Sequence, residues 1–187
     1  MKEKILDAAA KLILQYGLKK FTVDEIASDL KISKKTIYQY FRSKDDIIRE
    51  YFEVSLSSDR ESTASVLSSD DDFFDKIHAL VYSNHRYRLP VSLLMEARQF
   101  YPEIWSEVEE LKQFKMDTMK CLLEQGVEMG IFKQDIHFGI LAKLFEKTGD
   151  LYTDYDFLME NRLNTREAID ETLKIIFGGI LRENKDR

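Results

Sequence analysis

The sequence predicts an all-α protein. Only two prolines and seven glycines interrupt the 187 residues, which favours long helices over a turn-rich β fold. Apolar residues recur at helical spacing along the whole chain, and Ser, Thr and Asp residues stand where helices would begin. We expect about nine helices, three of them in an N-terminal domain of residues 1–47 and the rest in a larger domain of residues 48–187.

The first helix is predicted from an apolar stripe that ends at a glycine. Its members stand at i, i+1, i+4, i+7, i+8 and i+11, and they are Ile5, Leu6, Ala9, Leu12, Ile13 and Tyr16. These positions share one face of a helix. Gly17 follows at once, so the helix is expected to end there.

Capping residues predict the next three helices. Thr22 to Glu25 reads as a capping box, in which the threonine hydroxyl accepts the Glu25 amide and Glu25 reaches back. Ser33 is the predicted cap of a third helix, which turns Ile37 and Phe41 inward. Ser43 to Asp46 reads as a second box at the start of a long fourth helix.

The rest of the chain is predicted to be helical as well. A stretch rich in Ser and Asp between about 57 and 72 is read as a loop and helix N-terminus. Pro90 and Pro102 stand where new helices would start, a position that tolerates proline. The expected helices are 72–88, 91–100, 103–128, 136–159 and 166–183.

Charge is distributed unevenly. The net charge of the whole chain is −6, but residues 1–50 hold eleven Lys/Arg against eight Asp/Glu, while residues 51–187 hold seventeen against twenty-six. Only the N-terminal quarter, at +3, is therefore suited to approach a polyanion.

Residues 22–47 have the layout of a helix-turn-helix, with two short helices joined by a tight turn. The second helix of such a module lies in the major groove of DNA. Its side chains include hydrogen-bond donors for DNA phosphates and an amide that can pair with adenine. The predicted DNA-binding residues are Thr22, Ser33, Lys34, Lys35, Thr36, Tyr38, Gln39, Tyr40 and Lys44. A solvated, well-capped helix start is the alternative for Ser33 to Lys35 taken alone.

This segment resembles the DNA-binding domain of the TetR family of bacterial regulators. The matching residues are Thr22-Val23, Ile26-Ala27, Ile32-Ser33 and the run from Thr36 to Lys44. The resemblance implies that Thr22, Thr36, Tyr40 and Lys44 hold the DNA backbone, and that Lys34, Lys35, Tyr38 and Gln39 face bases or neighbouring phosphates. One departure is Lys31, where the family usually has glycine. A lysine there must adopt the left-handed conformation, or the turn differs.

The resemblance also implies a homodimer whose interface is formed by the last two long helices. The sequence adds two wide apolar stripes in the C-terminal region, and Gly178-Gly179 would let a partner helix approach closely. A dimer would place its recognition helices about 34–36 Å apart, one turn of DNA. The alternative is that both stripes are core. The predicted interface residues are Leu144, Thr148, Tyr152, Leu173, Ile176, Phe177 and Ile180.

A small-molecule effector is the third expected partner, after operator DNA and a second copy. Aromatic and methionine side chains supply adaptable apolar surface, although at helical spacing they are more often core. The candidate contacts are Tyr82, His85, Met95, Arg98, Trp105 and Phe114. His78 and His85 stand two turns apart, roughly 10 Å along the axis, too far for one metal ion.

These features predict a transcriptional regulator, usually a repressor, released from DNA by its effector. The alternative is a DNA-binding factor of the same fold that is controlled by a protein partner and binds no small ligand. No phosphate loop, nucleophile elbow or metal-spaced histidine cluster supports an enzyme, and no cofactor is expected. No membrane span or signal peptide is apparent, and the single Cys121 cannot form an intrachain disulfide, so we expect a cytoplasmic protein.

Overall fold

The computed structural model describes residues 1–82, 86–149, 151–152 and 154–181. Within these ranges the backbone forms ten helices and no strand, with one isolated antiparallel bridge between Phe132 and Leu181. The fold class is therefore confirmed as all-α. The helices are α1 (Lys2–Lys20), α2 (Val23–Leu30), α3 (Lys34–Tyr38), α4 (Lys44–Val66), α5 (Phe73–Val81), α6 (Val91–Phe100), α7 (Pro102–Glu128), α8 (Phe138–Thr148), α9 (Tyr155–Glu160) and α10 (Thr165–Ile180).

The chain divides into two compact units. Unit 1 comprises Met1–Ser62 and Asn84–Leu111, and unit 2 comprises Thr63–Ser83 and Lys112–Arg187. Unit 1 thus holds the predicted N-terminal domain together with α6 and the start of α7. The functional division at residue 47 stays a prediction.

Unit 1 is organised around the apolar faces of α1 to α4. Ile5, Ile13, Ile26 and Ile37 are fully buried, and burying such a side chain contributes about 1.5–3 kcal/mol. The first turns of α4 add further fully buried side chains, namely Ile47, Ile48, Tyr51 and Phe52. This core fixes the angle between α2 and α3.

Unit 2 has its own core between α5, α7, α8 and α10. Aromatic rings meet in its centre: the Phe132 ring lies 5.4 Å from Phe73 and 5.8 Å from Phe177, centroid to centroid. Gly126 of α7 makes room for them, because a Cβ there would lie 2.5 Å from the Phe132 ring. A larger residue at 126 would therefore displace Phe132 or strain the helix.

Several predicted boundaries are corrected. The helix expected over 72–88 ends at Val81, and the one expected over 136–159 ends at Thr148. A separate α9 begins after Asp154, whose carboxylate caps it by accepting the Phe157 N–H at 3.0 Å. Apolar periodicity alone did not reveal that cap, and it accounts for ten helices where about nine were expected. Both prolines stand at helix starts as predicted, Pro90 as the N-cap residue of α6 and Pro102 as the first residue of α7.

Candidate nucleic-acid interface

The start of α2 is the predicted capping box. The Thr22 N–H donates to Glu25 Oε2 at 2.7 Å, and the Glu25 N–H donates to Thr22 Oγ1 at 3.3 Å. The Thr22 hydroxyl also donates to Glu25 Oε2, at 2.9 Å. Because this proton is already used, Thr22 can donate to a phosphate only after it turns away from Glu25.

The turn between α2 and α3 is built on Lys31 in the left-handed conformation, with φ 54° and ψ 43°. The Lys31 N–H donates to the Ser28 carbonyl at 3.2 Å, and the Ile32 N–H donates to the Ala27 carbonyl at 3.0 Å. These bonds close the end of α2 in the manner of a glycine cap. The turn therefore has the shape that a glycine at this position would give it. Lysine adopts here the left-handed conformation that glycine would adopt without cost.

The third helix starts at Ser33, as predicted, but it is only five residues long. Ser33 Oγ accepts the Thr36 N–H at 3.1 Å, and the two hydroxyl oxygens lie 3.0 Å apart. Ile37 is fully buried, and this fixes which side of α3 faces the core. The predicted residues Gln39 and Tyr40 lie in the turn that follows rather than in the helix.

The outer side of this segment is exposed and carries the expected chemistry. Tyr38 and Tyr40 are 50% and 45% exposed, and Lys34, Lys35 and Gln39 are exposed as well. Large tyrosines left on the surface beside lysines are what a phosphate-contacting surface requires. Neither tyrosine is buried in the core of unit 1.

Lys44 is placed differently from the other lysines. Its Nζ donates to the Lys19 carbonyl at 2.7 Å and lies 4.3 Å from the centroid of the Phe21 ring. Burial lowers the pKa of its ammonium from the ordinary value. Lys44 therefore joins the start of α4 to the end of α1, and two of its three N–H donors remain for another acceptor.

The second predicted capping box is present in altered form beside Lys44. The Asp46 N–H donates to Ser43 Oγ at 3.0 Å, as expected. The Asp46 carboxylate, however, accepts the N–H of Arg42 at 2.9 Å instead of that of Ser43. An aspartate side chain is shorter than the glutamate of a standard box, and here it bonds one residue earlier.

Helix α6 and the first turn of α7 are tied to the N-terminal helices at three points of unit 1. Glu96 Oε2 accepts the Leu18 N–H at 2.8 Å, at the break that Gly17 makes in α1. The Tyr101 hydroxyl donates to Asp45 Oδ1 at 2.8 Å, and Arg49 pairs with Glu103 at 2.9 Å. Burial, followed by the bond to Asp45, raises the pKa of Tyr101. No local sequence pattern predicts these three contacts.

The predicted effector contacts are not collected within one unit. Met95, Arg98 and Trp105 belong to unit 1, whereas Tyr82 and Phe114 belong to unit 2, and His85 lies outside the described residues. Met95 is 54% exposed, and the Arg98 guanidinium stacks over Trp105 at 5.5 Å. The Tyr82 hydroxyl donates to Asp170 Oδ1 at 2.7 Å. As a pocket lining, this set stays a prediction.

The predicted dimer residues fall into two groups. Leu173 and Phe177 are 2% and 7% exposed, because they pack in the core of unit 2, so these two belong to the core and not to a free surface. Leu144 is 49% exposed. The remaining members, Thr148, Tyr152, Ile176 and Ile180, are half-buried.

The sequence prediction also missed two exposed isoleucines of unit 2. Ile140 of α8 is 60% exposed and Ile175 of α10 is 74% exposed. Ile175 lies two residues from the buried Leu173, hence on the opposite side of α10. Ile175 is an apolar residue outside the apolar stripe of α10, and this position in the sequence could have identified it as exposed.

A helix-turn-helix whose lysine, tyrosine and amide side chains face outward defines the class of this protein, a DNA-binding transcriptional regulator. The family model for bacterial regulatory proteins of the tetR family matches residues 5–51. The HTH-type transcriptional regulator YdeS of Bacillus subtilis is 30% identical over 142 residues, which cover 75% of this chain and 71% of that protein. The chain belongs to the tetR family.

Solved structures share the fold over nearly the whole chain. A transcriptional regulator from Saccharomonospora viridis in complex with choline has a TM-score of 0.73 at 20% identity, covering 97% of this chain and 98% of that one. FadR from Bacillus subtilis in complex with stearoyl-CoA has a TM-score of 0.66 at 18% identity, covering 96% and 100%. At these identities the likeness shows the fold alone.

Among the described residues, no group of three or more His, Cys, Asp or Glu side chains is arranged to hold a metal ion. In the same part of the chain, no helix has the length and apolar character needed to cross a membrane.

Proposed function

We propose that the surface formed by α2, α3 and the following turn binds operator DNA. The observation that supports this proposal is a group of exposed polar and aromatic side chains beside the buried Ile37. The group consists of Lys34, Lys35, Tyr38, Gln39 and Tyr40. Lysines and tyrosines on such a surface contact phosphates of any sequence, whereas the Gln39 amide pairs with adenine. Thr22, Ser33, Thr36 and Lys44 complete the proposed interface from its edges.

Selection of bound duplexes from a random pool gives the operator. We then expect Tyr40→Phe, which removes one hydroxyl donor, to weaken binding to every duplex by a similar factor. Gln39→Ala should instead change the preferred base at one position, by about 1–3 kcal/mol. Equal losses on all duplexes for both variants would contradict the base-reading role of Gln39.

Lys44 needs a different test because it also holds α1 to α4. Lys44→Ala would remove the bond to the Lys19 carbonyl along with any phosphate contact. Thermal unfolding therefore accompanies the binding measurement. Lost affinity at an unchanged melting temperature supports a phosphate contact, whereas a lower melting temperature with unchanged salt dependence of binding assigns Lys44 a structural role only.

We propose that the protein acts as a homodimer through α8 and α10. Ile175, Gly178 and Gly179 share the side of α10 that is turned away from the core. Within the described part of the chain, no atom outside the adjacent helix backbone lies within 4 Å of where a Cβ at either glycine would stand. On α8, Ile140 and Leu144 form a second exposed apolar pair. An isologous contact of these faces would bury them and pair two recognition helices.

Sedimentation of Ile175→Glu tests the dimer. We expect dissociation to monomers, because two carboxylates would meet in an apolar contact. Met129→Glu is the matched control, since Met129 is 66% exposed in the same unit. A dimeric Ile175→Glu variant would contradict this interface.

We further propose that the protein is a repressor that a small-molecule effector releases from DNA. Support comes from the two solved structures of the same fold that hold stearoyl-CoA and choline. A ligand acts this way only if it binds the DNA-free conformation more tightly. Stearoyl-CoA and choline are therefore the first probes, added to the complex of protein and selected operator.

The alternative is control by a protein partner without a small ligand. Release of the operator by either probe, at a concentration that leaves the fold intact, supports the effector. If neither these probes nor a panel of metabolites shifts the melting temperature or the DNA affinity, a protein partner is favoured.

A further inference from the structure

One ion pair links the first turns of α2 and α3. Lys34 Nζ lies 2.8 Å from Asp24 Oδ1, and the two side chains are 53% and 69% exposed. The pKa of the Lys34 ammonium is raised by this hydrogen bond and by the charge of Asp24. Lys34 therefore already has an anionic partner in the protein without DNA.

Asp24 lies between two residues of the proposed interface, Thr22 and Lys34. It is two residues from Thr22 along α2, and its carboxylate reaches Lys34 directly after the Ser33 cap of α3. A phosphate that approaches Lys34 would meet this carboxylate, and like charges repel. Asp24 lies in the first turn of α2, where a carboxylate interacts favourably with the helix dipole, but beside the proposed DNA contacts it works against attraction to phosphate.

We propose that Asp24 is a positioning residue that competes with DNA phosphate for Lys34. In free protein it holds the ammonium beside α2, and on binding Lys34 exchanges the carboxylate for a phosphate. Asp24 thereby lowers sequence-independent affinity. This role rests on the proposed DNA contact of Lys34.

The exchange has a distinct salt signature. A lysine that neutralises a phosphate releases a counterion from DNA, which contributes about 0.9 to the slope of log affinity against log salt. When Lys34 leaves Asp24, the freed carboxylate attracts a cation from solution and offsets part of that release. Removing the carboxylate should therefore steepen the slope by up to about 0.9.

The test uses the full chain and a 20-base-pair duplex of arbitrary sequence, titrated at several salt concentrations. Asp24→Asn should bind this duplex about two- to fivefold more tightly, the size expected when an exposed ion pair no longer competes. Asp29→Asn is the matched control. Asp29 is also exposed on α2, but it points about 140° away from Asp24 around the helix axis.

A double-mutant cycle shows whether Asp24 acts through Lys34. In a Lys34→Gln background no exchange can occur, so Asp24→Asn should leave the salt slope unchanged, and any gain in affinity should reflect only the lost repulsion between the carboxylate and phosphate. Equal effects of Asp24→Asn and Asp29→Asn overturn the proposal, as does a steepening of the slope that persists without Lys34. If the unmutated protein binds no duplex even at low salt, the proposed function fails and the role of Asp24 fails with it.

Discussion

Gly17 is a position where one added methyl group should strongly lower the free energy of unfolding. Its backbone has φ 80° and ψ 175°, a region that is essentially restricted to glycine. A Cβ there would lie 2.4 Å from Glu96 Oε1. Gly17→Ala therefore combines backbone strain with displacement of the carboxylate that holds α6 to α1.

The cost can be divided between the two effects. Holding a non-glycine residue in this backbone region costs about 1–3 kcal/mol. Moving Glu96 breaks its bond to the Leu18 N–H, and a partly buried bond to a charged acceptor contributes about 1.5 kcal/mol at the lower end of its range. We therefore expect Gly17→Ala to lower the free energy of unfolding by about 3 kcal/mol.

Urea unfolding at a fixed protomer concentration measures this cost, because the stability of the proposed dimer would depend on concentration. The same substitution in a Glu96→Ala background should cost less by about 1.5 kcal/mol, the part due to the carboxylate. An unfolding free energy within about 0.5 kcal/mol of the unmutated protein would refute the assigned strain. Equal costs in both backgrounds would refute the contribution of Glu96.

Two further predictions concern Lys31 and Tyr87. Lys31→Gly should stabilise the fold by about 0.5–1 kcal/mol in urea unfolding, because it removes the cost of the left-handed conformation but adds backbone entropy to the unfolded chain. Lys31→Asn should stabilise the fold by a smaller amount. A loss of stability in Lys31→Gly would contradict the turn geometry. Burial and a bond to Asp7 raise the pKa of Tyr87 to about 12, so its contribution to stability is complete below the unfolded value near 10 and is lost as the pH rises towards 12. Unfolding between pH 9 and 12 should show a smaller loss in Tyr87→Phe, and an identical loss would show that the hydroxyl does not carry it.

The N-terminal module could be predicted closely because its determinants are local in sequence. The bonds between Thr22 and Glu25, and between Ser33 and Thr36, join residues three apart, so the pattern of letters already contains them. For Lys31 the resemblance left two alternatives, the left-handed conformation or a different turn, and the structure has the left-handed conformation. Even so, the length of α3 was overestimated, since apolar spacing does not distinguish a helix from the turn that continues it.

The contacts that fix α6 against the module could not be predicted. Glu96 and Leu18 are seventy-eight positions apart, and nothing in either local sequence specifies the other. Leu173 and Phe177, which were predicted for the dimer interface, pack in the core of unit 2 for a related reason. A wide apolar stripe does not say which part of it the chain covers itself, and that depends on α5 and on Phe132.

Most hydrogen-bonding groups assigned to phosphate at the edges of the module already have partners within the chain. The Thr22 hydroxyl is bonded to Glu25, Lys34 to Asp24, and Lys44 to the Lys19 carbonyl. Binding is therefore largely an exchange of partners, in which each contact contributes only the difference between two similar bonds. A duplex that fails to make one of these contacts should therefore lose less affinity than it would if the group had no partner in the free protein. The internal partners thus reduce both the affinity that each contact adds and the affinity that its absence costs.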